Sequence, residues 1–101
     1  MKIIVLDQVE KFLSNLNDDL LANVRINLLA LEENPFKLEM PLNKKIGKNL
    51  FELRTTGSIQ VRVLYMFKWG CIIVVHGFVK KTRKIPKKEL DLAKKRSKSL
   101  T

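Results

Sequence analysis

The stretch that most constrains this chain is Cys71-Ile72-Ile73-Val74-Val75-His76-Gly77-Phe78-Val79, an apolar run interrupted only by His76 and Gly77. A run of this length after a turn reads as a strand, and its near-continuous apolarity calls for burial on both faces, so it belongs in the centre of a sheet. Lys68-Trp69-Gly70 turns the chain just before it. Upstream, Ile59–Phe67 alternates, with Val61, Val63, Tyr65 and Phe67 on one side and Gln60, Arg62, Leu64 and Met66 on the other. Thr56-Gly57-Ser58 is a second tight turn. Before it, Leu50–Thr56 places Phe51 and Leu53 opposite Glu52 and Arg54. Strands joined by such short connections form an antiparallel meander.

The N-terminal part has a different period. Ile3–Leu6 reads as a short strand, and Asp7 is a candidate cap for a helix with Val9, Phe12, Leu13 and Leu16 at i, i+3, i+4 and i+7. Asn17-Asp18-Asp19 interrupts and recaps. A second helix is expected from Asp18 to Glu33, with Leu20, Leu21, Val24, Leu28 and Leu31 on one face, and Asn34-Pro35 stops it. The two helices should pack as a hairpin. Residues 36–49, with Pro41, Lys44, Lys45, Gly47 and Lys48, read as a basic connection. Pro86 suits a first helical position, Lys87–Lys98 reads as a basic helix, and residues 99–101 are expected to fray. The expected fold is α+β in the order β-α-α-β-β-β-α, one domain over residues 1–101. It has an antiparallel sheet, a helical hairpin on one face and a basic C-terminal helix.

Charge divides the chain in two. It holds 20 Lys+Arg against 10 Asp+Glu, a net charge of +10. Residues 1–40 carry a net −3, whereas residues 41–101 carry +13 with Glu52, Glu89 and Asp91 as their acids. A face this basic concentrates polyanions, with a plain solubility surface as the alternative. One Cys and one His leave no material for an internal disulfide, a Cys-based zinc site or a two-His motif. Met1-Lys2 is followed by four apolar residues before Asp7, shorter than a secretory signal, and no run spans a membrane. With its lone thiol, the chain is expected to be cytoplasmic.

Strand parity selects the candidates for chemistry. Glu52 and Arg54 share a face at i, i+2, and a short hairpin brings Arg62 beside them. Two guanidiniums there form a phosphate clamp, or else they make ion pairs with Glu52 that decorate a solvated face. Lys80, Lys81, Arg83 and Lys84 surround Thr82 as the chain leaves the last strand, either as binding groups or as a solvated loop. Lys44, Lys45 and Lys48 add further cations suited to RNA. His76 reads as a satisfied core histidine, Tyr65 as core and Cys71 as packing. Trp69 either stacks on a base or packs on the sheet edge.

Several of these segments together resemble a known family. Leu50-Phe51-Glu52-Leu53-Arg54, Val61-Arg62-Val63-Leu64-Tyr65, His76-Gly77-Phe78-Val79-Lys80-Lys81-Thr82 and Ile85-Pro86-Lys87-Lys88-Glu89-Leu90, with Ala93 and Arg96, resemble the phage-derived, HigB-like branch of the RelE/HigB toxin superfamily. The likeness covers about residues 40–97. It implies the toxin of a type II toxin–antitoxin pair, a small endoribonuclease that cuts mRNA at the ribosome without metal or other cofactor. A cognate antitoxin, of helix-turn-helix type, would hold it in check. In such enzymes the 2′-hydroxyl attacks the adjacent phosphate, which calls for a base, cations on the phosphate and an acid at the leaving oxygen. By the same likeness Arg62 is the phosphate-stabilising arginine and Arg54 the arginine that ends the preceding strand. Lys80, Lys81 and Arg83 are the basic residues after the last strand. RelE carries lysines where this chain has Leu50 and Glu52, so Glu52 or another group would serve as base, with Lys80 or Lys81 as acid. The alternative is a catalytically weak module that binds RNA or antitoxin within a repressor complex.

Overall fold

A computed structural model describes residues 1–37 and 43–100; Pro41, within the expected connection, and Thr101 lie outside them. The elements are β1 (Lys2–Val5), α1 (Asp7–Ser14), α2 (Asp18–Glu33), β2 (Asn43–Gly47), β3 (Leu50–Arg54), β4 (Gln60–Lys68), β5 (Cys71–Lys80) and α3 (Lys87–Ser99). The five strands form one sheet in the order β1-β5-β4-β3-β2. Strands β3 to β5 make the expected antiparallel meander, and β2 extends it by one strand.

The expectations are corrected at three places. The sheet is mixed, because β1 runs parallel to β5, pairing Lys2 with Cys71 through Val5 with Val74. No strand follows β1 closely enough for a hairpin, so it docks on the free edge of β5, and α1, α2 and the meander supply the long crossover that parallel pairing needs. The second correction is β2, which lies inside the expected basic connection. Its residues Asn43-Lys44-Lys45-Ile46-Gly47 have little intrinsic strand preference and form a strand only by pairing with β3. The turn between them places Asn49 at φ 53°, a left-handed conformation that asparagine tolerates well. Lysines on such an edge also discourage pairing with another chain. Third, Asp7 lies inside the first turn of α1, where its charge suits the helix dipole, and Leu6 occupies the cap. Asn17 caps α2 as expected, its Oδ1 accepting the Leu20 N–H at 2.9 Å.

The sheet carries an apolar cluster on each face. On one face Val9, Leu13, Val24, Leu28 and Leu31 of the helical hairpin pack on Leu53, Val61, Val63, Tyr65, Ile72 and Val74. On the other, Ala93 and Leu90 of α3 pack on Leu50, Leu64, Met66, Ile73, Val75 and Phe78. Each such apolar side chain contributes about 1.5–3 kcal/mol when fully buried. Ser99 closes α3, and Leu100 packs against this second cluster.

A bulge in β5 decides which residues share a face. Leu64 pairs with His76 but Tyr65 pairs with Val74, leaving Val75 as the extra residue. Beyond it, the alternation of β5 is reversed. Phe78 joins Val75 on the α3 face, and Gly77 turns toward the hairpin. A Cβ on Gly77 would lie 2.7 Å from the Phe12 ring, so a glycine here lets α1 lie close against β5.

Candidate functional site

The bulge, the β3–β4 register and the β2 pairing gather charge at one corner of the α3 face. Arg54 and Arg62 are directly opposed across β3 and β4. Lys44 is the cross-strand partner of Glu52 on the other side, and Lys80 pairs with Gln60. Two guanidiniums facing each other on neighbouring strands repel. Glu52, with no exposed surface, lies between them: its Oε1 accepts from Arg54 Nε at 2.6 Å, and its Oε2 is 3.7 Å from Arg62 Nε. The second distance is an ion pair without a hydrogen bond.

Arg62 is only 4% exposed. Its Nη2 donates to Gln60 Oε1 at 2.7 Å, while Nε and Nη1, both buried, have no hydrogen-bond partner among the described residues. Glu52 Oε2, which faces Arg62 Nε, is likewise without a hydrogen bond among the described residues, and each buried polar atom so left costs about 1–3 kcal/mol. Burial lowers the pKa of Arg62, Glu52 opposes that shift, and Arg54 reinforces it. An arginine so shifted still carries its charge at neutral pH. Lys80, half-buried beside it, is also lowered, first by burial and then by Arg62; Arg54 and Lys44 add to the shift and Glu52 opposes it. Four cations around one carboxylate thus leave a local net charge of +3.

The backbone under this corner is pinned from the opposite face. Asn27 of α2 donates to the Arg54 carbonyl at 2.9 Å, and Asn23, one turn earlier, donates to the Thr56 carbonyl at 3.3 Å. The buried Thr55 hydroxyl accepts the Val61 N–H at 2.8 Å, closing the β3–β4 connection. A shallow cleft lined by Arg54, Thr55, Thr56, Gly57, Gln60 and Arg62 opens there. In the sequence, Asn23 and Asn27 are marked only by their i, i+4 spacing beside the apolar stripe of α2, and polar residues so placed are also ordinary helix surface.

The other expected site residues are dispersed. Lys81 is exposed and lines a separate cleft with Phe12, Gly77, Thr82 and Glu89. Arg83 and Lys84 are exposed in the loop, where Thr82 Oγ1 donates to the Lys84 carbonyl at 2.7 Å. Lys45 sits over the Phe51 ring at 6.0 Å. Lys48 lies in the β2–β3 turn, lining a cleft with Lys94, Ser97 and Lys98. His76 is buried and satisfied, as expected, and it ties α3 to the sheet. Arg96 Nη1 donates both to His76 Nδ1 at 2.9 Å and to the Val75 carbonyl at 3.1 Å. Because Nδ1 accepts, the ring proton is on Nε2, which donates to Glu89 Oε1 at 2.9 Å.

Against this geometry the comparison with protein families is informative. The family described as phage derived protein Gp49-like (DUF891) matches residues 11–98, which covers the end of α1, all of α2, the meander and nearly all of α3. The chain belongs to the Gp49-like family. That family lies within the RelE/ParE-like toxin superfamily. No curated protein matches the chain. Among the described residues of this Gp49-like chain no three His, Cys, Asp or Glu side chains gather as a metal site, and no helix is long and apolar enough to cross a membrane.

Proposed function

We propose that this Gp49-like protein is the toxin of a type II toxin–antitoxin pair, a metal-independent endoribonuclease that cuts mRNA at the ribosome. A cognate antitoxin of helix-turn-helix type, covering the basic corner, keeps it inactive. The observation that carries the reading is the cluster of four cations, Arg62 among them, gathered around one buried carboxylate beside an open cleft. A phosphate in the cleft lined by Arg54 and Arg62 gains negative charge as the 2′-oxygen attacks, and the two guanidiniums face that charge. Preorganised donors aimed at developing charge are the largest single source of catalysis in such reactions. In the step, the 2′-oxygen bonds to phosphorus, its proton passes to water, and the bond to the 5′-oxygen breaks. Lys80 gives that oxygen its proton, leaving a cyclic phosphate and a free 5′-hydroxyl. Burial and its cationic neighbours lower its pKa, which eases release of that proton. Arg54 assists Arg62 at the phosphate. Glu52, buried against both arginines, positions them. Lys44, Lys45, Lys48, Arg83 and Lys84 attract RNA over a wider surface, and Lys81 belongs with them.

Induced expression should halt growth and fragment mRNA. Arg62→Ala should relieve both, with mRNA cleavage by the purified chain on programmed ribosomes falling about 100-fold or more. Normal growth with intact transcripts at high expression would sink the nuclease reading. Glu52 also favours a second reading, because it occupies the place of a RelE lysine and engages both arginines. On that reading the corner binds RNA or antitoxin without cutting. RNA binding that weakens steeply with salt, with no cleavage, would select it.

A further inference from the structure

The β4–β5 hairpin ends in an unusual turn. Lys68 pairs with Cys71, so Trp69 and Gly70 are the whole loop, and both have positive φ, 55° and 67°. Two left-handed residues make the hairpin turn whose twist suits the strands, and Asn-Gly is the sequence it favours. Tryptophan in its first position is strained, because its Cβ crowds the backbone. Nor does packing hold the ring there: Trp69 is 67% exposed and joins neither core cluster, which removes the alternative that it packs on the sheet edge. What touches it is a cation, with Lys68 Nζ 5.1 Å from the ring. Strain kept at an exposed position without a packing return points to a use.

The surroundings show what the use is. Asn49 donates to the Phe67 carbonyl at 2.8 Å and accepts the Phe67 N–H at 3.1 Å, holding the β2–β3 turn beside this end of β4. That turn carries Lys48, which shares a cleft with Lys94 and Lys98 of α3. An exposed ring beside lysines is the composition of surfaces that hold single-stranded nucleic acid, where each base stacks on a ring and the backbone follows the charge. Arg62 and Trp69 are separated by seven residues of extended strand, about 23 Å. One RNA strand can therefore reach from the arginine corner to the hairpin tip.

We infer that Trp69, with Lys68 beside its ring and the β2–β3 turn held near the same end of β4, is a stacking platform for an unpaired RNA base, a second contact remote from the arginine corner. This rests on RNA being the partner, and the test separates the two. Trp69 is the chain's one tryptophan, so its fluorescence reports the tip alone. The chain carrying Arg62→Met, to prevent cutting, is titrated with a single-stranded oligoribonucleotide of about 12 nucleotides, a length within known site sizes. Saturable quenching is expected, with the affinity from labelled-RNA anisotropy falling about 5- to 100-fold in Trp69→Gly. That variant relieves the left-handed strain, so its thermal midpoint should not drop, and the affinity loss is then not misfolding. Binding by anisotropy without quenching, or with unchanged affinity in Trp69→Gly, overturns the platform and leaves the RNA reading standing. Equal quenching by duplex RNA, whose bases are already stacked, also overturns it. No RNA binding by the unaltered chain at low salt overturns both.

Discussion

The two faces of the sheet are covered in different ways. The helical hairpin seals one face with apolar side chains along the strands, and there burial pushes the Tyr65 phenol up, with the Asn43 side chain partly opposing. The single helix α3 covers only part of the other face, over Leu50, Leu64, Met66 and Ile73. What it leaves is the corner where Glu52, Arg54, Arg62 and Lys80 meet. Two helices on one face and one on the other produce a dry side that stabilises and a charged side able to bind. The rigidity of the first serves the second, since Asn23 and Asn27 reach from the hairpin to the backbone beneath Arg54.

The largest test of this contrast removes the carboxylate that holds the charged corner together. Glu52→Ala leaves two opposed guanidiniums, one of them buried, and should cost about 3–5 kcal/mol in urea denaturation. A loss below about 1 kcal/mol would show that the arginines are solvated and the corner is not organised by Glu52. A smaller effect is expected on the dry face. Gly77→Ala forces the Phe12 ring away from a 2.7 Å approach and should lower stability by about 1–3 kcal/mol, with part regained when Phe12→Leu is added. A neutral Gly77→Ala would mean that α1 does not lie so close to β5. The smallest effect is a titration. Lys80 should deprotonate at lower pH than the other lysines when followed by NMR, and Arg62→Met should move it back up by removing a neighbouring cation. Because the folded value lies below the unfolded one, the unfolded chain binds more protons between the two. Stability therefore rises with pH through that window, and below it the penalty is complete. A Lys80 titration indistinguishable from the exposed lysines would place it outside the corner.

Much of this was legible from residues alone. The spacing of Leu20, Leu21, Val24, Leu28 and Leu31 specified α2, and its bounds agree with the structure at both ends. The alternation in β3 and β4 placed Glu52, Arg54 and Arg62 on one side, where they are found. The limits appeared where pairing is non-local. Lys44 reached the corner because β2 pairs with β3, although its own sequence reads as a loop. Lys81 left it, because neighbouring residues on an extended chain point apart and only Lys80 ends β5. His76 was correctly read as buried, but its partners Glu89 and Arg96 depend on how α3 crosses the sheet.

By itself the sequence determined the helices, the meander, the concentration of charge after residue 40 and the pairing of two arginines with one acid. Each of these follows from periodicity or composition within a few residues. Tertiary structure alone decided the parallel β1, the strand formed by Asn43–Gly47, and the bulge at Val75 that reverses the alternation of β5. It also decided that Arg62 is buried with donors to spare rather than solvated on an open face. Burial and register are set by the element packed opposite, and that partner lies far along the chain.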